Sequence, residues 1–403
     1  MNILIITTRV PYPPYRGDKL KIFNIARQLS KNNSVTILTL LRSKSQIKEI
    51  EELKKHNFNV IFVKISFIES CLNIIKAIFS NIPFQVAWYS SQLMQTETSK
   101  LISSGSYDVT YFHLIRSAQY LPRLDNTNSV LNVIDFTDAV SLYLDRFTKI
   151  EKNPVKRLLL KIEKRRVETY EKIAEKFHIV FICSEVDRDY LIKREIKANI
   201  KILRNGVDVD YFKAEDVKRE EKRIIFTGNM PYYANYDAAI YFSNEIFPLI
   251  LREIPDAKFY IVGQKPPYRI KALASENIIV TGYVRDIRIE YLKSSVNVAP
   301  MRFGAGTLNK IIESVVLGVP VVASQIAVDG LPDEIKRTII VAKDSVDFAN
   351  QVIKIISRHE FQNSSSEKEK QALIESLSWE NIVKKFETDL KHELPKLKSS
   401  NNF

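Results

Sequence analysis

The 403-residue sequence is poor in the residues that build covalent or metal-held scaffolds. Its two cysteines, Cys71 and Cys183, are far apart and belong to no CxxC or Cys/His cluster, which argues against a disulfide framework and against a zinc site. The five histidines, at 56, 113, 178, 359 and 392, stand singly, so no catalytic metal held by histidine is expected. Glycine is scarce, with ten residues in all. The first strand-to-helix loop has only Gly17, after Pro11, Pro13 and Pro14, where a dinucleotide-binding fold would place GxGxxG, so NAD and FAD chemistry is disfavoured. No run of 18 apolar residues occurs, and no membrane-spanning helix is expected. Met1 to Ile6 lack a positive leader and run into prolines rather than a cleavage site. They read as a buried strand, with a cytoplasmic protein as the default.

What is present is enough for two cores. The apolar fraction is 45%, and the length suits two domains of roughly 150–200 residues. Short apolar runs at 2–8, 34–40, 59–65, 109–113, 129–135, 179–184, 200–204, 223–228, 257–263, 277–283, 296–301 and 320–324 alternate with segments of helical spacing. That alternation predicts an α/β protein with two Rossmann-like, doubly wound parallel sheets. The turn Asn205-Gly206-Val207-Asp208 and the charged run 213–222 place the boundary. The expected organisation is a first domain over 1–205, a second over 206–377, a helix over 378–394 and a disordered tail over 395–403. Charge is uneven: residues 1–200 hold 31 Lys and Arg against 20 Asp and Glu, net +11, whereas 201–403 carry a net +2. The first half is therefore expected to meet something anionic.

Three places could carry chemistry. Gly17-Asp18-Lys19 opens a helix whose free N–H groups suit a phosphate, or simply makes a capped turn. The segment Gly304-Ala305-Gly306-Thr307-Leu308-Asn309-Lys310 follows a strand and opens a second helix. Its glycines allow close backbone approach, Lys310 adds a charge in the first turn, and Glu313 one turn on can accept from sugar hydroxyls. The plainer alternative is a glycine turn with Glu313 on a solvated face. His113 and Asp135 end first-domain strands, where they either wall a cleft or cap the next turn.

Together, the blocks Thr281-Gly282-Tyr283-Val284-Arg285-Asp286, Val298-Ala299-Pro300, Gly306 to Glu313 and Gly318-Val319-Pro320-Val321-Val322-Ala323-Ser324 resemble the donor half of glycosyltransferase family 4. Phe226-Thr227-Gly228 and Ile261-Val262-Gly263 fit the same order. Gly17-Asp18-Lys19 and Gly306-x-x-Asn309-Lys310-x-x-Glu313 resemble its exopolysaccharide-biosynthesis branch. The resemblance covers about residues 1–390 and implies two facing Rossmann-like domains (the GT-B fold), with the C-terminal helix returning to the first. It further implies a UDP- or GDP-linked sugar donor, no metal or other cofactor, and retention of anomeric configuration. Glu313 would hold the ribose, and backbone amides around Asn309, with Lys310, would face the diphosphate. Gly17 would meet the phosphates from the other domain, and Tyr283, Val284 and Arg285 would lie beside the base. Two departures stand out. A glutamate usual eight residues before Glu313 is Ala305, and an Arg and a Lys usual after the first strand of the second domain fall on Asn229 and about Ala234.

Residues 67–84 are apolar with Lys76 among Ile74, Ile75, Ile78 and Phe79, and 152–176 form a basic stretch with a stripe of Leu159, Ile162, Tyr170 and Ile173. Either is an ordinary amphipathic helix. Together with the +11 charge they suggest peripheral contact with an anionic membrane. No helix-turn-helix or stacking-aromatic pattern supports nucleic-acid binding. The expected activity is transfer of a hexose-type sugar to a glycan or lipid-linked acceptor. The alternatives are a sugar-nucleotide epimerase and a catalytically degenerate binding subunit.

Overall fold

The apolar runs become strands of two wholly parallel sheets in the computed structural model, which describes residues 1–122, 130–213, 215–358 and 367–400. The first sheet holds β1 (Asn2–Thr7), β2 (Ser34–Leu41), β3 (Asn59–Lys64), β4 (Val109–His113), β5 (Leu131–Thr137), β6 (Ile179–Ile182) and β7 (Ile200–Ile202), in the order β3-β2-β1-β4-β5-β6-β7. The second holds β8 (Glu220–Thr227), β9 (Lys258–Val262), β10 (Ile278–Gly282), β11 (Ser294–Ala299), β12 (Val321–Ser324) and β13 (Ile340–Ala342), in the order β10-β9-β8-β11-β12-β13. Each order reverses once, between β1 and β4 and between β8 and β11, as in a doubly wound Rossmann-like sheet.

Two compact units result, Met1–Arg204 with Trp379–Phe403, and Asn205–Ser378. Strands buried on both faces explain the apolar runs of the first unit. In β1, Ile3 and Ile5 point into one core and Leu4 and Ile6 into the other, because strand side chains alternate. The helix Trp379–Ser400 joins the Ile3 and Ile5 face, burying Trp379, Val383, Phe386 and Leu390. The Phe386 ring sits edge-on to Phe181 (4.9 Å) and Tyr111 (5.5 Å). The chain thus returns to its first unit after completing the second.

Two boundaries and one short strand differ from the sequence reading. The C-terminal helix continues through Pro395 to Ser400, where a disordered tail from 395 was expected, and residues 401–403 lie outside the described residues. The apolar spacing explains it: Leu390, Leu394 and Leu397 fall on one helix face, and the last two pack against the core, which compensates for the proline. Strand β8 starts at Glu220, inside the charged run, because backbone pairing tolerates exposed charges at a strand's first residues. The three-residue β13 has no counterpart among the sequence runs.

The second unit also fixes one glycine. A Cβ at Gly263, just after β9, would stand 1.8 Å from the Gly228 carbonyl oxygen. The obstacle is backbone, so no rotamer change relieves it. Gly263→Ala is expected to destabilise by about 1–3 kcal/mol, the usual range for overpacking. An unchanged melting temperature for this variant would show that the loop after β8 yields freely.

Candidate functional site

The reversal point of the second sheet gathers the candidates after β8 and β11, whereas Tyr283, Val284 and Arg285 follow the edge strand β10. Open α/β sheets bind ligands beyond the carboxyl ends of their strands at such a point. There Thr227-Gly228-Asn229 leaves β8, and residues 300–308 leave β11 to open the helix Asn309–Val316. Gly306 takes φ +74°, a left-handed conformation open to glycine at no steric cost. Thr307 Oγ1 donates to the Gly330 carbonyl at 3.0 Å and anchors the turn. Among the described residues no side chain caps the helix at Leu308; the Ile311 N–H is taken up by the Leu308 carbonyl at 3.0 Å, and the N–H groups of Asn309 and Lys310 are the ones that can meet an acceptor.

Lys310 lies in the first turn of this helix and is buried. Its Nζ donates to Asn235 Oδ1 at 2.7 Å and rests 4.0 Å from the centre of the Phe226 ring, a cation–π contact. Asn235 in turn donates to the Asn229 carbonyl at 3.2 Å, so the lysine is tied to the loop after β8. Burial pushes the Lys310 ammonium down to about 7, against the opposing pull of Glu313. Burial likewise pushes the Glu313 carboxyl up to about 7, opposed by the Tyr291 hydroxyl and Lys310. The fully buried Tyr291 hydroxyl lies 3.1 Å from Glu313 Oε2, 2.6 Å from Thr227 Oγ1 and 3.3 Å from the Lys310 carbonyl. Asn309 Oδ1 accepts from Asn205 at 2.9 Å. Gly304 and Ala305 are half-buried in the turn, Tyr283 and Arg285 are exposed after β10, and Val284 packs against the core cluster that includes Tyr291 and Leu292.

The first-unit candidates form a separate cluster. Gly17 starts the helix Gly17–Leu29. The Asp18 carboxylate faces Arg9 (2.6 Å), Arg116 (3.1 Å) and Arg16 (3.4 Å). Burial alone would raise it, but the three guanidiniums hold it well below the usual carboxylate range. Lys19 donates to the Tyr12 carbonyl at 2.9 Å and lies 3.6 Å from Glu49. His113 is buried, with Nε2 3.0 Å from the Asp18 carbonyl and Nδ1 without a hydrogen-bond partner among the described residues. Burial pushes its imidazole down to about 4. Asp135 is fully buried: Lys21 Nζ stands 2.9 Å from Oδ2, Tyr111 donates at 2.6 Å and the Thr137 N–H at 2.7 Å. Its oxygens are taken up inside the unit, and it offers no face to a ligand.

Residues 221–358 match the family model described as glycosyl transferases group 1. Most of the second unit is thus similar to the group 1 glycosyltransferases. Over nearly its whole length the chain also has the fold of GT-B glycosyltransferases. Anabaena HepE crystallised with UDP aligns at a TM-score of 0.65 with 14% identity, covering 97% of this chain and 100% of that one. A variant of S. aureus TarM crystallised with fondaparinux, alpha-GlcNAc-glycerol and UDP aligns at 0.69 with 14% identity, covering 97% and 99%. At that identity these likenesses establish the fold. An uncharacterized 44.6 kDa protein in the cps region of Klebsiella pneumoniae is 22% identical over 376 residues, 87% of this chain and 90% of its own.

Within the second unit, Tyr291, Asn235, Arg302 and Asp237 escaped the sequence reading. Tyr291 and Asn235 hold Glu313 and Lys310 by hydrogen bonds. Arg302 binds Asp237 from Nε at 2.8 Å and lies over the Tyr241 ring at 5.0 Å, fixing the loop before Gly304. No spacing signal marks these residues, since each meets its partner across more than twenty positions. Asn235 alone offered a cue, in the first turn of the helix after β8; Tyr291 closes the helix before β11, and Arg302 lies in the loop after it.

Proposed function

We propose that the chain moves a hexose-type sugar from a UDP- or GDP-linked donor to a glycan or lipid-linked acceptor in polysaccharide or cell-surface glycan synthesis. The reading includes retention at the anomeric carbon and no resident metal ion. The observation that carries it is the helix Asn309–Val316, which combines an uncapped N-terminus, a buried cation at Lys310 and an acceptor at Glu313. A nucleoside diphosphate needs donors at its phosphates and acceptors at its ribose. The helix N–H groups and Lys310 supply the first, and the Glu313 oxygen not engaged by Tyr291 supplies the second.

The charge problem sets the mechanism. Cleaving the bond between the anomeric carbon and the diphosphate oxygen leaves its electron pair on phosphate. Fixed N–H dipoles and the Lys310 charge stabilise that developing anion in a site of low dielectric. The acceptor hydroxyl attacks from the face the diphosphate leaves and passes its proton to a phosphate oxygen, so no enzymic carboxylate nucleophile is needed. UDP in HepE and in TarM supports uracil as the base, and the cps-region relative supports a role in polysaccharide synthesis. A second reading, a binding subunit without transfer activity, is favoured by Ala305 and Asn229 standing where the resembling family has charged side chains.

Thermal-shift titration with UDP, GDP, ADP and NAD in the presence of EDTA tests the donor site. A ligand at a hundred times its Kd stabilises by about 2.7 kcal/mol. UDP or GDP should therefore raise the melting temperature by several degrees. A rise with NAD alone, or with none of the four, would end the transferase reading. Glu313→Ala with undiminished glycan synthesis in cells would favour the binding subunit instead.

A further inference from the structure

The helix Phe67–Ile78 is inverted relative to an ordinary surface helix. It buries Ser70 and Ala77 and turns its apolar face to solvent. Helical spacing puts Phe67, Ile68, Leu72, Ile75 and Ile78 on that face, continued by Phe79, which is 87% exposed. The helix Pro154–Tyr170 behaves alike, exposing Val155, Leu158, Leu159 and Ile162 while burying Val167. Eleven of the 22 exposed large hydrophobic residues among those described lie in these two segments, counting Ile82.

The two faces are neighbours. Arg166 donates to the Ile78 carbonyl at 3.2 Å and stacks over Phe84 at 4.3 Å, and the Glu163 carboxylate accepts from the Phe84 N–H at 3.0 Å. One rim of this surface is basic. Arg157, Lys161 and Arg165 are exposed, without an ion-pair partner among the described residues, and line a groove of about 340 Å³ together with Lys149. Lys76 adds a further exposed charge on the first helix.

We propose that these helices form a docking surface for an anionic lipid bilayer. Phe67, Ile75, Phe79, Leu158 and Ile162 enter the headgroup boundary, and Arg157, Lys161 and Arg165 meet lipid phosphates. Charge selects this occupant. A two-fold contact between copies would set the same basic rim against itself, whereas an anionic leaflet complements both the rim and the +11 half of the chain that carries it. An apolar stripe beside basic residues is the pattern of a helix lying in the interface plane. The proposal stands on the first unit alone, so its failure would leave the donor site of the second untouched.

Co-sedimentation of the full chain with vesicles provides the test, using phosphatidylcholine alone and phosphatidylcholine mixed with phosphatidylglycerol. The protein is expected to pellet with the mixed vesicles at low salt and to be released by high salt. Phe79→Asp combined with Leu158→Asp, and separately Arg157→Gln with Lys161→Gln and Arg165→Gln, should each lower binding by about tenfold or more. These side chains are exposed, so melting temperatures should not change. As an independent readout, Phe79→Trp should show a blue-shifted emission on adding mixed vesicles. Equal binding to neutral vesicles, binding unaffected by both sets of substitutions, or a concentration-dependent dimer dispersed by Phe79→Asp would overturn the proposal.

Discussion

Lys310→Met is expected to weaken UDP binding by about ten- to a hundredfold, the cost of losing a charge-assisted contact. Sugar transfer should fall further, by about a hundred- to a thousandfold, because the charge on the leaving diphosphate grows as the bond breaks. Methionine keeps the length and apolar stem of the lysine against Phe226, so the variant should fold. The buried ammonium is held by the neutral Asn235 amide and the Phe226 ring and has no ion-pair partner among the described residues, so its removal strands no opposite charge. Loss of the UDP-induced thermal shift with an unchanged melting temperature is the expected signature. Wild-type affinity in the variant would remove Lys310 from the site.

The same residue predicts the pH dependence. Lys310 loses its proton at about 7 in the free protein, far below its usual value. A bound diphosphate favours the charged form, so UDP binding above pH 7 requires proton uptake and should weaken by up to about tenfold per pH unit. Lys310→Met should flatten that slope. Stability of the unliganded protein responds in two windows. Glu313 holds its proton more tightly when folded, so its contribution is full below about 4.5 and is lost as pH rises to about 7. Lys310 binds its proton less tightly when folded, so its contribution is unfavourable at and below pH 7 and recovers as pH rises toward 10.5. The pair is therefore least stabilising near neutrality, where a diphosphate donor would offset most.

The strands were legible because parallel sheets covered on both faces demand near-continuous apolar runs, and each run falls on a strand. The brief Ile340–Ala342 strand gives too few residues for any run to register. The helix bearing Lys310 was legible from its turn glycines, but the burial of its side chain was not: Asn235 lies 75 positions away. Asp135 illustrates the opposite case. A carboxylate at a strand's end suggests a cleft wall, yet Lys21, which reads as a polar helix position, reaches in from the helix Gly17–Leu29 and pairs with it. Periodicity likewise identified Phe67–Ile78 as amphipathic without saying which face points outward. That depends on Ser70 and Ala77 being the residues small enough to pack closely inward.

Lys21→Met is the substitution expected to cost most stability. Lys21 and Asp135 are both buried, with Nζ 3.1 Å and 2.9 Å from the two carboxylate oxygens and 3.0 Å from the Leu203 carbonyl. The remaining partners of Asp135 are neutral: the Tyr111 hydroxyl and the Thr137 N–H and hydroxyl. Burial and the neighbouring Asp135 push Tyr111 well above its ordinary value, which keeps it a donor at neutral pH but leaves it unable to cancel a full charge. Removing one partner of a buried ion pair typically costs about 3–5 kcal/mol, because the other is left desolvated and unpaired. For a unit of this size each kcal/mol lowers the melting temperature by about 2–4 °C. Adding Asp135→Asn to Lys21→Met should restore much of the loss, since the stranded charge disappears with it. UDP should still stabilise the double variant by its wild-type increment if the pair is a structural support of the first unit and the donor nucleotide is held by the second. A lost UDP increment with the fold intact would instead give Asp135 a part in donor binding, and a Lys21→Met protein that melts like the wild type would show that the pair contributes nothing to holding its sheet together.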